Sequence, residues 1–182
     1  YLEMPTALMS RVFLVSNKLQ RVPSELNEAG VNSGINYENQ CIRFEWDKGK
    51  KTVFVRQQRV TPEVDASDAM AASVASNYID PLIASLKVEA VPSDSSTVVF
   101  KVNDLFNGKK TYFNDVFTLI NLGTSADSDL SRIISIKAFS NNVTATSELT
   151  TVVHEGKSKI NVTVEVSSSL VLLREIPMVG RK

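Results

Sequence analysis

The chain has one histidine, one cysteine and no net charge, and each shortage removes a class of chemistry. With His154 as the sole histidine, neither a two-histidine helix motif nor a three-histidine zinc site can be assembled within it. Cys41 alone excludes an intrachain disulfide and any multi-cysteine zinc site, and leaves the compartment open. Twenty basic residues against twenty acidic ones set up no global field to draw in nucleic acid or an anionic membrane. No apolar run approaches the ~20 residues that span a bilayer. No signal-peptide pattern opens the sequence, although a trimmed segment would have lost one. No Gly-x-Ser-x-Gly elbow occurs, and a Ser-His-Asp or Cys-His device would have to recruit His154.

What remains is an ordinary globular composition, 43% hydrophobic over 182 residues. A domain of this length buries roughly 70% of the surface its unfolded chain exposes, so its stability requires no metal or disulfide. Strand signals dominate. Val12 to Asn17 is apolar on both faces, as in a central strand. From Cys41 to Trp46 the chain alternates, with Ile42, Phe44 and Trp46 on one side and Arg43 and Glu45 on the other. Asp47-Lys48-Gly49-Lys50 supplies turn residues, with Gly49 free to take positive φ, and Thr52 to Val60 resumes the strand. A second hairpin joins Val143–Val153 to Lys159–Val166 across His154-Glu155-Gly156-Lys157-Ser158. On its returning strand Ile160, Val162, Val164 and Val166 share one face. Further strands are expected at 87–91, 97–102, 132–139 and 169–173.

Helical signals are fewer. Ser67 is placed to cap a helix through Asn77, with Met70, Val74 and Tyr78 on one stripe. Asp80-Pro81 reads as a cap followed by proline at the first helical position, with a short helix through Leu86. Asn114–Asn121, Pro23–Ala29 and a single turn at Pro5–Met9 complete the set. Asn32–Asn39 and Gly123–Asp129 read as polar loops. The expectation is an α+β fold: one domain over residues 1–176, a mostly antiparallel sheet with hairpins at about 41–60 and 143–166, and one or two helices packed on one face. Residues 177–182 then begin a linker, since the chain ends on a Pro-Met segment and two basic residues with no closing turn.

The search for chemistry assigns no catalytic, cofactor-binding or metal-ligating residue. His154-Glu155 is followed by Gly156-Lys157-Ser158, not by a second histidine at the fourth position, and falls in a hairpin turn instead of a helix. Cys41 is a nucleophile only if a base lies beside it. Asp127-Ser128-Asp129, Asp65 and Asp68 miss the twelve-residue calcium-loop spacing and read as turn and cap residues. Gly108-Lys109-Lys110 lacks the upstream glycine of a phosphate loop. Lys48, Lys50 and Lys51 lie near Trp46 and Phe44, but those rings occupy the face expected to be core, which argues against a single-strand nucleic-acid platform.

Several segments, in order, resemble a known family. They are Tyr1-Leu2-Glu3-Met4-Pro5 with Arg11 to Ser16, Ala75 to Ile83, Val98 to Phe106, Asp129-Leu130-Ser131-Arg132 leading into Ile136 to Val143, and Ser169 to Leu173 followed by Pro177-Met178. Together they are similar to the domain of unknown function that precedes the catalytic domain in large bacterial zincin-type zinc metalloproteases, often of Bacteroides-like bacteria. Two departures, Ser131-Arg132 in reversed order and Val179-Gly180 where Pro-Arg is common, touch no catalytic position.

The resemblance implies a non-catalytic accessory domain that packs against its own downstream protease domain and contributes to the cleft for a peptide substrate. Zinc belongs to that other domain, and the parent is exported to the periplasm, outer membrane or extracellular space. Pro177, Met178 and Arg181 are the implied junction contacts. The rival expectation is an independent cell-envelope binding module for protein or glycan, built on surface aromatics among Trp46, Tyr37, Tyr112 and Phe113. A self-contained hydrolase using Cys41 and His154 is the third reading.

Overall fold

A computed structural model describes residues 1–59, 64–109, 111–118, 120–122, 125–156 and 158–175. The strands are β1 (Leu2–Pro5), β2 (Val12–Arg21), β3 (Asn36–Asp47), β4 (Thr52–Gln58), β5 (Leu82–Ala90), β6 (Thr97–Phe100), β7 (Arg132–Ala138), β8 (Asn142–Glu155) and β9 (Ser158–Leu172). They form one sheet in the order β1-β6-β5-β4-β3-β2-β9-β8-β7, with every neighbour antiparallel. The twist that builds up over nine strands curls it into a half-barrel with two open edges, β1 and β7.

This corrects the α+β expectation. Among the described residues strand accounts for 49% and helix for 13%, so the fold is closer to all-β. The helices are short: α1 (Ser24–Glu28), α2 (Ala71–Asn77), α3 (Asn103–Phe106) and α4 (Thr111–Asn114), plus a 3₁₀ turn at Thr6–Leu8. Among the described residues no helical layer covers a face. The expected stripe of α2 is not core, because Met70 and Tyr78 are both exposed. The segment expected to be a helix from Asp80 to Leu86 is the first part of β5. Ala84, Leu86 and Val88 alternate inward, opposite Val55 and Val53 of β4. Burial at a period of two outweighed the local Asp-Pro cap signal. Asn114 ends α4 instead of starting a helix.

Both expected hairpins are present. In the first, Gly49, expected to take positive φ, stays at negative φ, and Lys51 takes the left-handed conformation at φ 49. Val60 lies outside the described residues. Asn36–Asn39, expected as loop, opens β3. In the second hairpin Gly156 turns the chain at φ 61.

The concave side is filled in two parts. A larger cluster centres on Phe13, Phe44 and Phe100, with ring centroids 5.6 Å apart in each successive pair. A smaller one gathers Leu19, Phe117, Leu149, Val164 and Val166. Between them runs a row of inward polar side chains, Asn17 on β2 opposite Ser168 on β9, with Ser147 nearby on β8. The Asn17 amide donates to the Phe113 carbonyl at 2.8 Å, which fixes α4 against the sheet. Asn114, fully buried, donates to Phe106 O at 2.8 Å and accepts from Gly108 N at 3.1 Å, closing the loop from α3 to α4. Gly108 is required there twice over. Its φ is +73, and an added Cβ would sit 2.3 Å from Ala126 Cβ.

Candidate docking edge

The topology first separates the residues a hydrolase would need. Cys41 lies in the ladder row Cys41–Leu14–Val171–Asn142. His154 is twelve residues further along β8 from Asn142, so the two are roughly 40 Å apart along the strand direction. They cannot form a nucleophile–base pair. Among the described residues no group of three His, Cys, Asp or Glu side chains is placed to hold a metal.

The acidic residues are occupied by local turns. Asp127 Oδ1 accepts from Asp129 N at 2.9 Å, and Asp68 Oδ1 from Met70 N at 2.8 Å. The Ser67 hydroxyl and then its backbone N–H hold the exposed Asp65 carboxyl below its ordinary pKa. In the β3–β4 turn Lys48 sits over Trp46, 5.0 Å from the ring centre, and Lys50 near Phe54 at 5.9 Å. Of the aromatics expected on the surface, Tyr37 and Phe113 are buried in the core and Trp46 packs against it. The Tyr112 side chain and the junction residues Pro177, Met178 and Arg181 lie outside the described residues.

The sheet brings together something the motif search did not single out. β7 hydrogen-bonds to β8 on one side only, and among the described residues no other backbone group pairs with it. Alternate residues of such a strand direct their N–H and C=O groups outward, a ready template for another strand. Apolar side chains accompany those groups. Ile136 stands opposite Ala145, whose neighbours along β8 mark the inward face, and is still 51% exposed. Ile134, at the bulge between Ile133 and Ser135, is 47% exposed, and Phe139, just past the strand, is 60% exposed. On the outer side Arg132 pairs with Glu148 at 3.1 Å, while Lys137 has no partner among the described residues.

The β7–β8 turn also walls a small apolar pocket of about 130 Å³ with β1. Leu2, Met4, Leu8, Phe139, Val143 and Leu172 line it. Asn142 Oδ1, buried and without a hydrogen-bond partner among the described residues, belongs to the same wall. The pocket lies where the two ends of the half-barrel approach each other.

Sequence reasoning found β7 as a strand, at 132–139, but not as an edge. The available signal was Arg132-Ile133-Ile134-Ser135-Ile136-Lys137-Ala138, in which the bulge at Ile134 breaks the alternation.

A family model described as a domain of unknown function, DUF5117, matches residues 34–182, most of the chain, and the chain belongs to that family. No curated protein and no solved structure matches it.

Proposed function

We propose that this member of the DUF5117 family is a non-catalytic accessory domain of a zinc-dependent metallopeptidase, docked on its neighbouring domain through the β7 edge. The observation that carries docking is the free, seven-residue edge of β7 with Ile134, Ile136 and Phe139 exposed beside it. Strand addition suits such an edge, because main-chain hydrogen bonds supply affinity and alternate side chains supply register. A neighbour in the same polypeptide is the favoured occupant. A pairing of seven residues falls short of the ~1,600 Å² of a standard independent interface, and tethering removes most of the association cost.

The peptidase half of the proposal rests on the ordered resemblance from Tyr1 to Met178. It assigns zinc and the general base to another domain and gives no residue here a catalytic role. An exported parent belongs to the same proposal, as does a contribution of the edge to binding an extended peptide substrate.

The test supplies the neighbouring peptidase domain in trans. The chain alone is expected to hydrolyse no peptide and to take up no stoichiometric zinc by calorimetry, and to bind the supplied domain. Ile136→Lys is expected to weaken that binding at least tenfold, by burying an unpaired ammonium at the joint. Tight zinc binding or cleavage by the chain alone sinks the accessory reading. Undiminished binding by Ile136→Lys sinks the β7 joint.

A further inference from the structure

We infer that a cleft on the convex face, between β3, β4 and the Tyr78–Asp80 segment, binds an oxyanion, a carboxylate or phosphate group. It uses none of the residues of the docking edge. Arg43 and Arg56 are direct cross-strand partners. Like charges placed opposite each other destabilise a ladder, so this pair needs carboxylates at hand. Two are present. Asp80 ion-pairs with Arg43, and Glu45 Oε2 accepts from Arg56 Nε at 2.7 Å. A terminal nitrogen of Arg56 also donates to the Asp80 backbone carbonyl at 2.9 Å. The second carboxylate oxygen of Asp80 accepts from Arg59 N at 3.1 Å. With its side chain only 13% exposed, Asp80 has both oxygens engaged.

Arg59 is the third arginine of the cleft and is exposed. Its backbone is used by Asp80, but its guanidinium has no acceptor among the described residues. Among the described residues three guanidinium groups therefore face two carboxylates, leaving one positive charge over. The space they enclose is about 500 Å³, open to solvent, with Gln58 and Tyr78 also on its walls.

Arginine presents planar forked donors that match oxyanions. Arg43 and Arg56 are already held by their partners, so an incoming anion orders little more than Arg59. The competing role is a tie that pins the Tyr78–Asp80 segment to the sheet. Two arginines and two carboxylates serve that role, but it leaves the Arg59 side chain with nothing to do and the buried Arg43 Nε without a hydrogen-bond partner among the described residues.

The test is titration of the chain with inorganic phosphate and, separately, with succinate, followed by NMR of the arginine side chains and of the amides of residues 43, 56, 59 and 78. The expected result is a saturable shift confined to the cleft for at least one of the two anions, and the one that saturates identifies the source. Loss of one charge-assisted contact in Arg59→Gln is expected to weaken binding about tenfold or more. Arg59→Lys should retain part of the affinity, and neither substitution should change the melting temperature, because the backbone bond to Asp80 survives both. No saturable shift with either anion overturns the site, as does undiminished binding by Arg59→Gln.

Discussion

The two ends of the sheet are built differently. β1 is four residues long and ends on Pro5, which has no N–H to offer a further strand. Its Met4 is 4% exposed and packs in the larger core cluster. β7 has seven residues, no proline, and exposed Ile134 and Ile136. Shortness and proline are the usual means of blunting an edge, and β1 shows both. The comparable devices on β7 are the bulge before Ser135 and the charges of Arg132 and Lys137. One end of the half-barrel is finished against water, and the other keeps the features of a joint. On the proposed reading the two edges have separate duties, stability at β1 and attachment at β7.

That division is open to attack by substitution. The largest effect belongs to the β1 end. Phe100, fully buried on β6 opposite Leu2, should cost about 3–5 kcal/mol as Phe100→Ala, and Met4→Ala about 2–5 kcal/mol, both read from urea unfolding. Ile136→Ala, on a half-exposed side chain, should cost about 1 kcal/mol or less in the same assay. Comparable losses at Met4 and Ile136 would erase the contrast. Conversely, Ile136→Lys should impair attachment in trans, where a surface substitution near the β1 end such as Glu3→Gln should not.

A subtler contrast is in pH. The Asp94 carboxyl, in the turn between β5 and β6, is held below its ordinary pKa by the backbone N–H of Ser96 and then by its hydroxyl. That turn clips the 3₁₀ turn after β1, because the Thr6 hydroxyl donates to the carbonyls of Ser95 and Ser96. A depressed folded pKa means a contribution fully present above the ordinary carboxylate value and lost as pH falls through the lowered one. Acid below the ordinary carboxylate range should therefore lower the protection factors of the amides around Thr6 and Ser96, after correction for the intrinsic pH dependence of exchange, in the wild type and less so in Asp94→Asn. It should leave β7 unaffected.

How much of this was readable beforehand follows the same division. Strands with clean alternation, such as Cys41–Trp46, declare both their existence and their inward face, and Ile42 and Phe44 are buried as their pattern requires. The positions of the hairpin turns were equally plain, but not that Lys51 instead of Gly49 takes the left-handed conformation. Two further things were not. Asp80-Pro81-Leu82 carries a valid local helix signal, and only the packing of Ala84 and Leu86 against β4 overrules it. Edge position is a property of the assembled sheet, since no residue of β7 records that nothing lies beyond it. The arginine cleft was hidden for a related reason. Arg43, Arg56, Arg59 and Asp80 come together only once β3 and β4 pair and the chain returns at Asp80.

The account is tested most directly by hydrogen exchange across residues 132–138, in this chain alone and in the polypeptide that joins it to its neighbouring domain. It predicts fast exchange at the outward amides of β7 in the isolated chain, protection of those amides in the longer protein, and no change at β1. Equal exchange of β7 in both, or new protection at β1 instead, would contradict it.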